Sequence, residues 1–189
     1  MCENIISNQI ILKINSINKI LRISITGPES CGKTTLAHQL STEFKLPLVP
    51  EYSRIHLEAG HQIKNSQDIL KLAQHQIKGE NEKIASPSSA IICDTDILVL
   101  YIWCKEKFPP ALKDLQHLLK NHFYDFTLLC SPDLPWKEDP LRENPLDRDR
   151  LFEEYIYWLK KMKRPFEIIH GSGQDRFDLA KKIISTLLK

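Results

Sequence analysis

The segment GPESCGKT, residues 27–34, has the residue types and spacing to hold a phosphate chain. It follows the pattern G-x-x-x-x-G-K-[ST], in which glycines let backbone N–H groups curl around phosphate oxygens. Lys33 supplies a mobile positive charge, and the Thr34 hydroxyl is a ligand for Mg²⁺. An apolar run precedes the segment and a helical pattern follows it, as a P-loop requires. The sequence therefore predicts an ATP site built from Gly27, Pro28, Glu29, Ser30, Cys31, Gly32, Lys33, Thr34 and Thr35.

A carboxylate for the metal is predicted at the end of a later apolar strand. Residues 90–93 read Ala-Ile-Ile-Cys, and Asp94 follows them directly. At this place in a P-loop protein, a strand-end aspartate assists the Thr34 hydroxyl in holding Mg²⁺. Asp96 has two interpretations that stay open: contact with the hydroxyl of an acceptor, or an N-cap of the helix that follows.

Glu51, Tyr52 and Arg54 come directly after a second short apolar segment. A carboxylate, an aromatic ring and a guanidinium at a strand end could hold an acceptor molecule. In that case Glu51 would accept the proton of the acceptor hydroxyl or hold water on the metal. The alternative is an ordinary helix start, with Glu51 favoured by the helix dipole and Arg54 on the surface.

Residues 131–150 carry four prolines and many charges, and they predict a long loop. Loops of this length are typically lids or disordered segments. The arginines at positions 142, 148 and 150 could close onto a phosphate chain, and we expect Arg142 or Arg148 to be catalytic. The alternative is that the alternating aspartates and arginines pair with each other in solvent, where such pairs contribute little.

Composition excludes several classes of protein. The chain has 26 Lys+Arg against 24 Asp+Glu in 189 residues, a net charge of +2, so neither nucleic acid nor an anionic membrane is a predicted partner. No apolar run approaches the ~20 residues of a membrane helix. The N-terminus lacks the features of a signal peptide. A cytoplasmic, reducing location is predicted, because the five cysteines are scattered without metal-binding spacing: Cys2, Cys31, Cys93, Cys104 and Cys130.

Short apolar strands alternate with helices along the chain. This alternation predicts an α/β protein with the three-layer P-loop NTPase fold, a central parallel sheet of about five strands and a lid segment. We expect residues 1–20 to be an N-terminal extension of unclear structure and residues 21–189 to be one domain, with its lid at about 131–150. The predicted strands are 22–26, 46–50, 90–93, 125–130 and 166–170, and the predicted helices are 33–44, 66–85, 97–107, 111–121, 151–163 and 175–188. Their strand ends should border one crevice.

The ordered motifs GPESCGKTTLA, VPEYSR, ICDTD and SPDLPW…LR…R resemble the ribosylnicotinamide kinase domain of the bacterial NadR family. The resemblance extends from about residue 22 to residue 188. It implies an ATP- and Mg²⁺-dependent kinase that phosphorylates the ribose 5′-hydroxyl of nicotinamide riboside. NadR proteins often carry further domains, and the short segment before the first strand leads us to expect the kinase domain alone.

The resemblance also implies roles for individual residues. Lys33, Thr34 and Asp94 match the phosphate and metal positions. The positions that match stretches around the acceptor are Glu51, Arg54, Asp96, Trp103 and Trp136. Trp136 could stack on the cationic nicotinamide ring, whereas Trp103 could equally pack in the core. The lid departs from the family pattern, because Pro140 stands in Asp139-Pro140-Leu141-Arg142 where a glycine is expected, and proline cannot adopt a positive φ.

Three functional hypotheses remain from the sequence. The first is the nicotinamide riboside kinase, and the second is a kinase of another nucleoside or nucleotide, which would differ only in its acceptor pocket. The third is a regulatory P-loop ATPase whose acceptor is water. The sequence does not determine the oligomeric state or the preference between ATP and GTP.

Overall fold

The computed structural model describes residues 19–139 and 146–189, and the sheet is formed within them. Its strands are β1 (Leu21–Thr26), β2 (Leu48–Val49), β3 (Ala90–Asp94), β4 (Phe126–Cys130) and β5 (Phe166–Ile169). All pair in parallel in the spatial order β2-β3-β1-β4-β5. The chain thus builds outward on both sides of β1, and in such sheets ligands bind beyond the carboxyl end of the strand at which the direction changes.

Helices cover both faces of the sheet. Among the described residues they are α1 (Lys33–Phe44), α2 (Tyr52–Glu58), α3 (Ser66–Ile84), α4 (Ile97–Lys107), α5 (Lys113–Asn121), α6 (Arg148–Lys161) and α7 (Gly173–Leu187). The buried side chains of α1 and α7 pack with one face of β1, β3 and β4. Those of α3, α4, α5 and α6 form a second core on the opposite face. The predicted three-layer α/β architecture is confirmed.

The central strands β1, β3 and β4 are mostly apolar and mostly buried because both faces of the sheet are covered. Ile91 and Ile92, adjacent in β3, lie in different core clusters, as the alternation of side chains along a strand requires. The four cysteines within the described residues are buried free thiols, and Cys93 and Cys130 pack in the core as small apolar side chains do.

Several element bounds differ from the sequence predictions. The second strand is only Leu48–Val49, because prolines flank it on both sides and end the ladder early. Residues Tyr52–Glu58 form a helix that the sequence offered only as an alternative. Helix α6 begins at Arg148, so the last residues of the predicted 131–150 loop are helical.

Two parts of the sequence predictions lie outside the described residues. They are most of the N-terminal extension, residues 1–18, and residues 140–145 in the centre of the predicted lid. Pro140 and Arg142 belong to the second part, so the departure from the family pattern stays a prediction. None of the described helices combines the length and apolarity that crossing a membrane would need.

A buried charged network stabilises the end of the sheet opposite the P-loop, where α3 packs against the residues that precede β4. The Glu80 side chain is fully buried and accepts a hydrogen bond from the Tyr124 hydroxyl at 2.8 Å. Its other oxygen lies 2.6 Å from Nε2 of His122 and 3.8 Å from Nε of Arg22. A buried carboxylate is tolerated only with partners of this kind.

We predict that Glu80→Ala lowers the free energy of unfolding by about 3–5 kcal/mol, because it leaves buried polar partners unsatisfied. Glu82→Ala is the matched control, since Glu82 lies on the same helix but is exposed and contacts only Lys78 at 4.0 Å. This control should change stability by less than ~0.5 kcal/mol. Urea unfolding measures both, and equal effects would contradict the role assigned to the network.

Candidate active site

The P-loop connects β1 to α1 and depends on two glycines with positive φ. Gly27 has a φ of 134°, and a Cβ there would lie 2.6 Å from the carbonyl oxygen of Cys130. Gly32 has a φ of 80°, and its Cβ would lie 2.8 Å from Cδ1 of Leu134. Only glycine fits at either position without moving its neighbours. No side chain caps the N-terminus of α1, so the first N–H groups of this helix are available to an anion.

The Lys33 side chain lies folded against its own loop. Its Nζ donates hydrogen bonds to the carbonyl of Gly27 at 2.9 Å and to that of Pro28 at 2.7 Å. Both acceptors are neutral carbonyls, which a phosphate oxygen would replace with a stronger, charge-assisted partner. The predicted lysine is therefore at the mouth of the cradle with a side chain that can exchange partners.

Asp94 and Thr34 lie together at the carboxyl end of the sheet. The Thr34 hydroxyl lies beside the Asp94 carboxyl group and favours its charged form, and Oδ1 of Asp94 is buried and has no hydrogen-bond partner among the described residues. Burial raises the pKa of Asp94 to about 6, and Glu51 adds to this, while Thr34 and Lys33 oppose it. A buried carboxylate oxygen without a donor beside a hydroxyl fits a hard cation such as Mg²⁺.

A cage made wholly of protein ligands is absent from the described parts of the chain, where no three His, Cys, Asp or Glu side chains could share a metal. Mg²⁺ in kinases usually takes one or two protein ligands and completes its shell with water and phosphate oxygens. The pair formed by Thr34 and Asp94 agrees with that pattern.

Arg176 on α7 bonds four groups in three segments behind the P-loop, and the sequence did not predict it. One guanidinium nitrogen donates to Asp133 at 2.7 Å and to the Gly171 carbonyl at 2.8 Å. Another donates to the Cys31 carbonyl at 2.7 Å and to that of Ser131 at 3.1 Å. A lone arginine in a closing helix has no sequence pattern that marks it. The one available signal was its place one turn after the glycines that follow β5.

The first part of the predicted lid is attached to the P-loop. The Lys137 backbone N–H donates to the Ser30 hydroxyl at 2.9 Å, and the Leu134 side chain lies over Gly32. Arg148 donates to the Leu134 carbonyl at 2.9 Å and approaches the Ser30 carbonyl at 3.5 Å. The predicted arginine of the lid therefore reaches the phosphate cradle from the start of a helix, rather than from a free loop.

A cavity of about 200 Å³ extends from the P-loop to the side chains of α2, α4 and α6. Beyond the P-loop, its walls are Glu51, Ser53, Arg54, Leu57, Val99, Ile102, Trp103, Glu106, Leu151 and Tyr155. The wall combines apolar and aromatic surface with a few polar groups, which is typical of a small-molecule site. Three of the predicted acceptor residues, Glu51, Arg54 and Trp103, lie on it.

Polar contacts fix the two charged residues on the α2 side of this cavity. Glu51 precedes α2, and its Oε1 accepts a hydrogen bond from the Ser53 hydroxyl at 2.6 Å. Arg54 donates to Glu58 at 2.6 Å and pairs with Asp139 of the predicted lid at 2.7 Å. The cavity wall and the lid are thus connected through the Arg54 guanidinium.

Three predicted acceptor residues lie elsewhere. Asp96 is buried, accepts from Thr26 at 2.9 Å and caps α4 through the Val99 N–H at 3.1 Å, so the geometry favours the cap interpretation. The Tyr52 ring stacks on His75 with centroids 4.6 Å apart and lines a separate surface groove. Trp136 lies outside the cavity wall, with its ring centroid 5.8 Å from the Arg148 guanidinium.

A protein-family model matches most of this sequence and thereby identifies its family. The model of the AAA-domain family AAA_28 matches residues 22–176. The chain belongs to this family. The matched range contains the P-loop, Asp94, the described part of the predicted lid and Arg176, so all of the site residues described above fall within the AAA domain.

This AAA domain is also similar to NadR proteins, as its sequence predicted. It is 26% identical over 159 residues to the trifunctional NAD biosynthesis/regulator protein NadR of Salmonella typhimurium. The aligned stretch covers 81% of this chain but 38% of that protein. The fold matches a NadR protein crystallised with NR, at a TM-score of 0.76 and 21% identity, over 89% of this chain and 52% of that one. The fold also matches a NadR protein in complex with NAD and AMP-PNP, at a TM-score of 0.71 and 19% identity, over 90% of this chain and 50% of that one.

We predict that the Asp94 carboxyl group of the nucleotide-free protein titrates near pH 6, because burial disfavours its charged form. Only the carboxylate binds a cation, so affinity for Mg²⁺ should fall as the pH is lowered through 6. Carboxyl ¹³C NMR measures the titration, with Asp94→Asn to assign the signal. A midpoint near 4, the ordinary value, would contradict the assigned environment.

We predict that Arg176→Ala weakens binding of an ATP analogue on the order of tenfold, since the P-loop carbonyl of Cys31 loses its donor and each orphaned buried group costs about 1–3 kcal/mol. Arg176→Lys should recover only part of the affinity, because an ammonium group cannot reproduce the fork geometry. Lys182→Ala is the control, since Lys182 lies on the same helix and its side chain is exposed. An unchanged dissociation constant in Arg176→Ala would refute the role of the arginine.

Proposed function

We propose that this domain is an ATP- and Mg²⁺-dependent kinase that phosphorylates the 5′-hydroxyl of nicotinamide riboside to give nicotinamide mononucleotide. The observation that carries the proposal is the cavity that joins the P-loop to a wall of aromatic and polar side chains. The similarity to NadR proteins supports the choice of acceptor. The chain spans 38% of the length of the Salmonella NadR protein, and the proposal concerns this kinase activity alone.

On the phosphate side, the P-loop N–H groups and Lys33 would bind the β- and γ-phosphates of ATP. The Lys33 ammonium would leave the Gly27 and Pro28 carbonyls and follow the charge of the transferred group. Thr34 and Asp94 would hold Mg²⁺, which would neutralise charge on the phosphate oxygens. The described fold thus keeps these groups on one strand end and one helix start.

On the acceptor side, Glu51 is the proposed general base. Its carboxylate lies on the cavity wall, and the Ser53 hydroxyl holds one of its oxygens in place. The other oxygen would accept the proton of the 5′-hydroxyl as that oxygen attacks phosphorus. Trp103 and Tyr155 line the same wall, and an aromatic face would attract the cationic nicotinamide ring.

Arg148 is the proposed catalytic cation. Its guanidinium lies against the P-loop at Ser30 and is supported by the Leu134 carbonyl. An arginine in that place can stabilise the charge of the transferred phosphoryl group. Arg142, the other predicted candidate, lies outside the described residues. Arg150 pairs with Glu106 and Asp147 at the surface and is the weaker candidate.

A kinase of another nucleoside or nucleotide is the alternative, because it would share every part of the phosphate site. A regulatory ATPase would use water as the acceptor and would not require an aromatic cavity wall. We propose a small-molecule partner, a cytoplasmic location and no role for nucleic acid or membrane.

The deciding experiment is product analysis by mass spectrometry after incubation with ATP and Mg²⁺. Nicotinamide riboside should be converted to its 5′-monophosphate, with kcat/KM higher than for thymidine, deoxycytidine or uridine. A site that hydrogen-bonds ribose hydroxyls and holds a cationic ring loses those partners with a deoxy or neutral substrate. Equal efficiency with a pyrimidine deoxynucleoside would support the alternative kinase, and free phosphate alone would support the ATPase.

Lys33→Ala is the control for this assay. Transfer should be abolished while the fold is kept, because the lysine ammonium acts on phosphate charge and donates its hydrogen bonds to loop carbonyls. Circular dichroism checks the fold, and EDTA should stop the wild-type reaction by removing the metal. Turnover near the wild-type rate in Lys33→Ala would refute the assigned phosphate site.

A further inference from the structure

Two cysteines meet directly beneath the P-loop. Cys31 is the fifth residue of the loop, Cys130 ends β4, and both are fully buried. A Cβ at Gly27 would lie 2.6 Å from the Cys130 carbonyl oxygen and 3.1 Å from the Cys31 sulfur, so the Cys130 backbone and the Cys31 side chain flank the same residue of the loop. Both cysteines belong to the same buried core cluster, and each thiol alters the pKa of the other.

The surroundings of Cys31 favour its thiolate. Burial opposes ionisation, but the Cys130 thiol and the charges of Lys33 and Arg176 lower the pKa of Cys31 to about 6. Cys130 is the opposite case, since the Cys31 thiolate and burial raise its pKa. One sulfur of the pair is therefore a nucleophile and the other a protonated thiol beside it, as attacking and resolving cysteines are.

We propose that Cys31 and Cys130 are a peroxide-sensitive pair, and that their oxidation to a disulfide distorts the phosphate cradle and suppresses nucleotide binding. The chemistry balances with hydrogen peroxide as the only oxidant. The Cys31 thiolate attacks one peroxide oxygen, the O–O bond breaks, and sulfenic acid and hydroxide form. The Cys130 sulfur then attacks the Cys31 sulfur, and the hydroxyl group leaves as water with the thiol proton. Hydroxide takes the proton that Cys31 had lost, so two thiols and one peroxide give a disulfide and two waters.

The disulfide would change the loop because it changes what the Cys31 sulfur contacts. The Cys31 sulfur lies 2.9 Å from the Pro28 carbonyl oxygen and, in its protonated form, donates a hydrogen bond to it; the same carbonyl accepts from Lys33. A disulfide requires its sulfurs to lie about 2.05 Å apart. Cys31 would therefore move toward β4 and lose the bond to Pro28. A displacement of roughly 1 Å at such a site can cost on the order of 10²-fold.

Bound nucleotide should protect the pair. Cys31 borders the cavity but has no exposed surface, so peroxide would reach its sulfur from the cavity when the loop moves, and bound phosphates would close that route. They would also draw Lys33 away from the loop and place negative charge near the sulfur, which disfavours the thiolate. Oxidation is thus expected in the nucleotide-free protein. The functional consequence rests on the proposed nucleotide site, whereas the disulfide itself does not.

The test oxidises the full chain carrying Cys2→Ser, which prevents pairing between molecules through that thiol. Hydrogen peroxide should give a protein two mass units lighter, with Cys31 and Cys130 in one linked peptide and Cys93 and Cys104 unmodified. Binding of a fluorescent ATP analogue should weaken at least tenfold and return after reduction with dithiothreitol. Prior addition of a non-hydrolysable ATP analogue should slow formation of the linked peptide.

Two variants separate the steps. In Cys31→Ser no linked peptide can form, and in Cys130→Ala dimedone should trap Cys31 as its sulfenic acid; Cys130→Ser replaces the latter variant if melting shows that it misfolds. The proposal is overturned if no linked peptide with Cys31 and Cys130 appears, or if the linked protein binds the analogue as tightly as the reduced one. If the reduced protein does not bind the analogue, the proposed function fails instead, and peptide mapping still decides whether the pair forms.

Discussion

The buried guanidinium of Arg176 holds together the parts that a phosphate site needs. Through four hydrogen bonds it joins the P-loop, the ends of β4 and β5, and Asp133 at the start of the predicted lid. A flexible glycine-containing loop cannot fix its own position, because glycine leaves the backbone many conformations. A planar donor group that bonds several carbonyls at once fixes that position from behind. The front of the loop is therefore left for a ligand.

The parts of the fold that could be predicted are those whose cause is local. Buried strands such as β3 are continuous apolar runs, and the P-loop carries its glycines and lysine at fixed spacing. Parallel strands bring their carboxyl ends to one edge, which placed Glu51 and Asp94 near the P-loop before the structure was known. These predictions need only the spacing of residue types along the chain and the direction of the strands.

The parts that could not be predicted depend on contacts distant in sequence. Arg176 acts through carbonyls up to 145 residues away, and backbone acceptors leave no trace in the sequence. Asp96 was left open because an aspartate before a helix reads equally as a cap or as a ligand, and only its bonds to Thr26 and Val99 favour the cap. Helix α2 was missed as a prediction because its seven residues are too few to show a clear helical period.

Helix α2 contributes side chains to two different surfaces of the protein. One side of it, with Ser53, Arg54 and Leu57, forms part of the cavity wall, while Tyr52 and His56 on its other side line a neighbouring groove. The groups proposed to bind the phosphates and the metal belong to the P-loop, α1, β3 and α6 instead. Under the proposed function, substitutions at Ser53, Arg54 and Leu57 would change the wall around the acceptor and leave Lys33, Thr34 and Asp94 in place. For an engineer or for natural selection, this helix is the accessible starting point for a new substrate range.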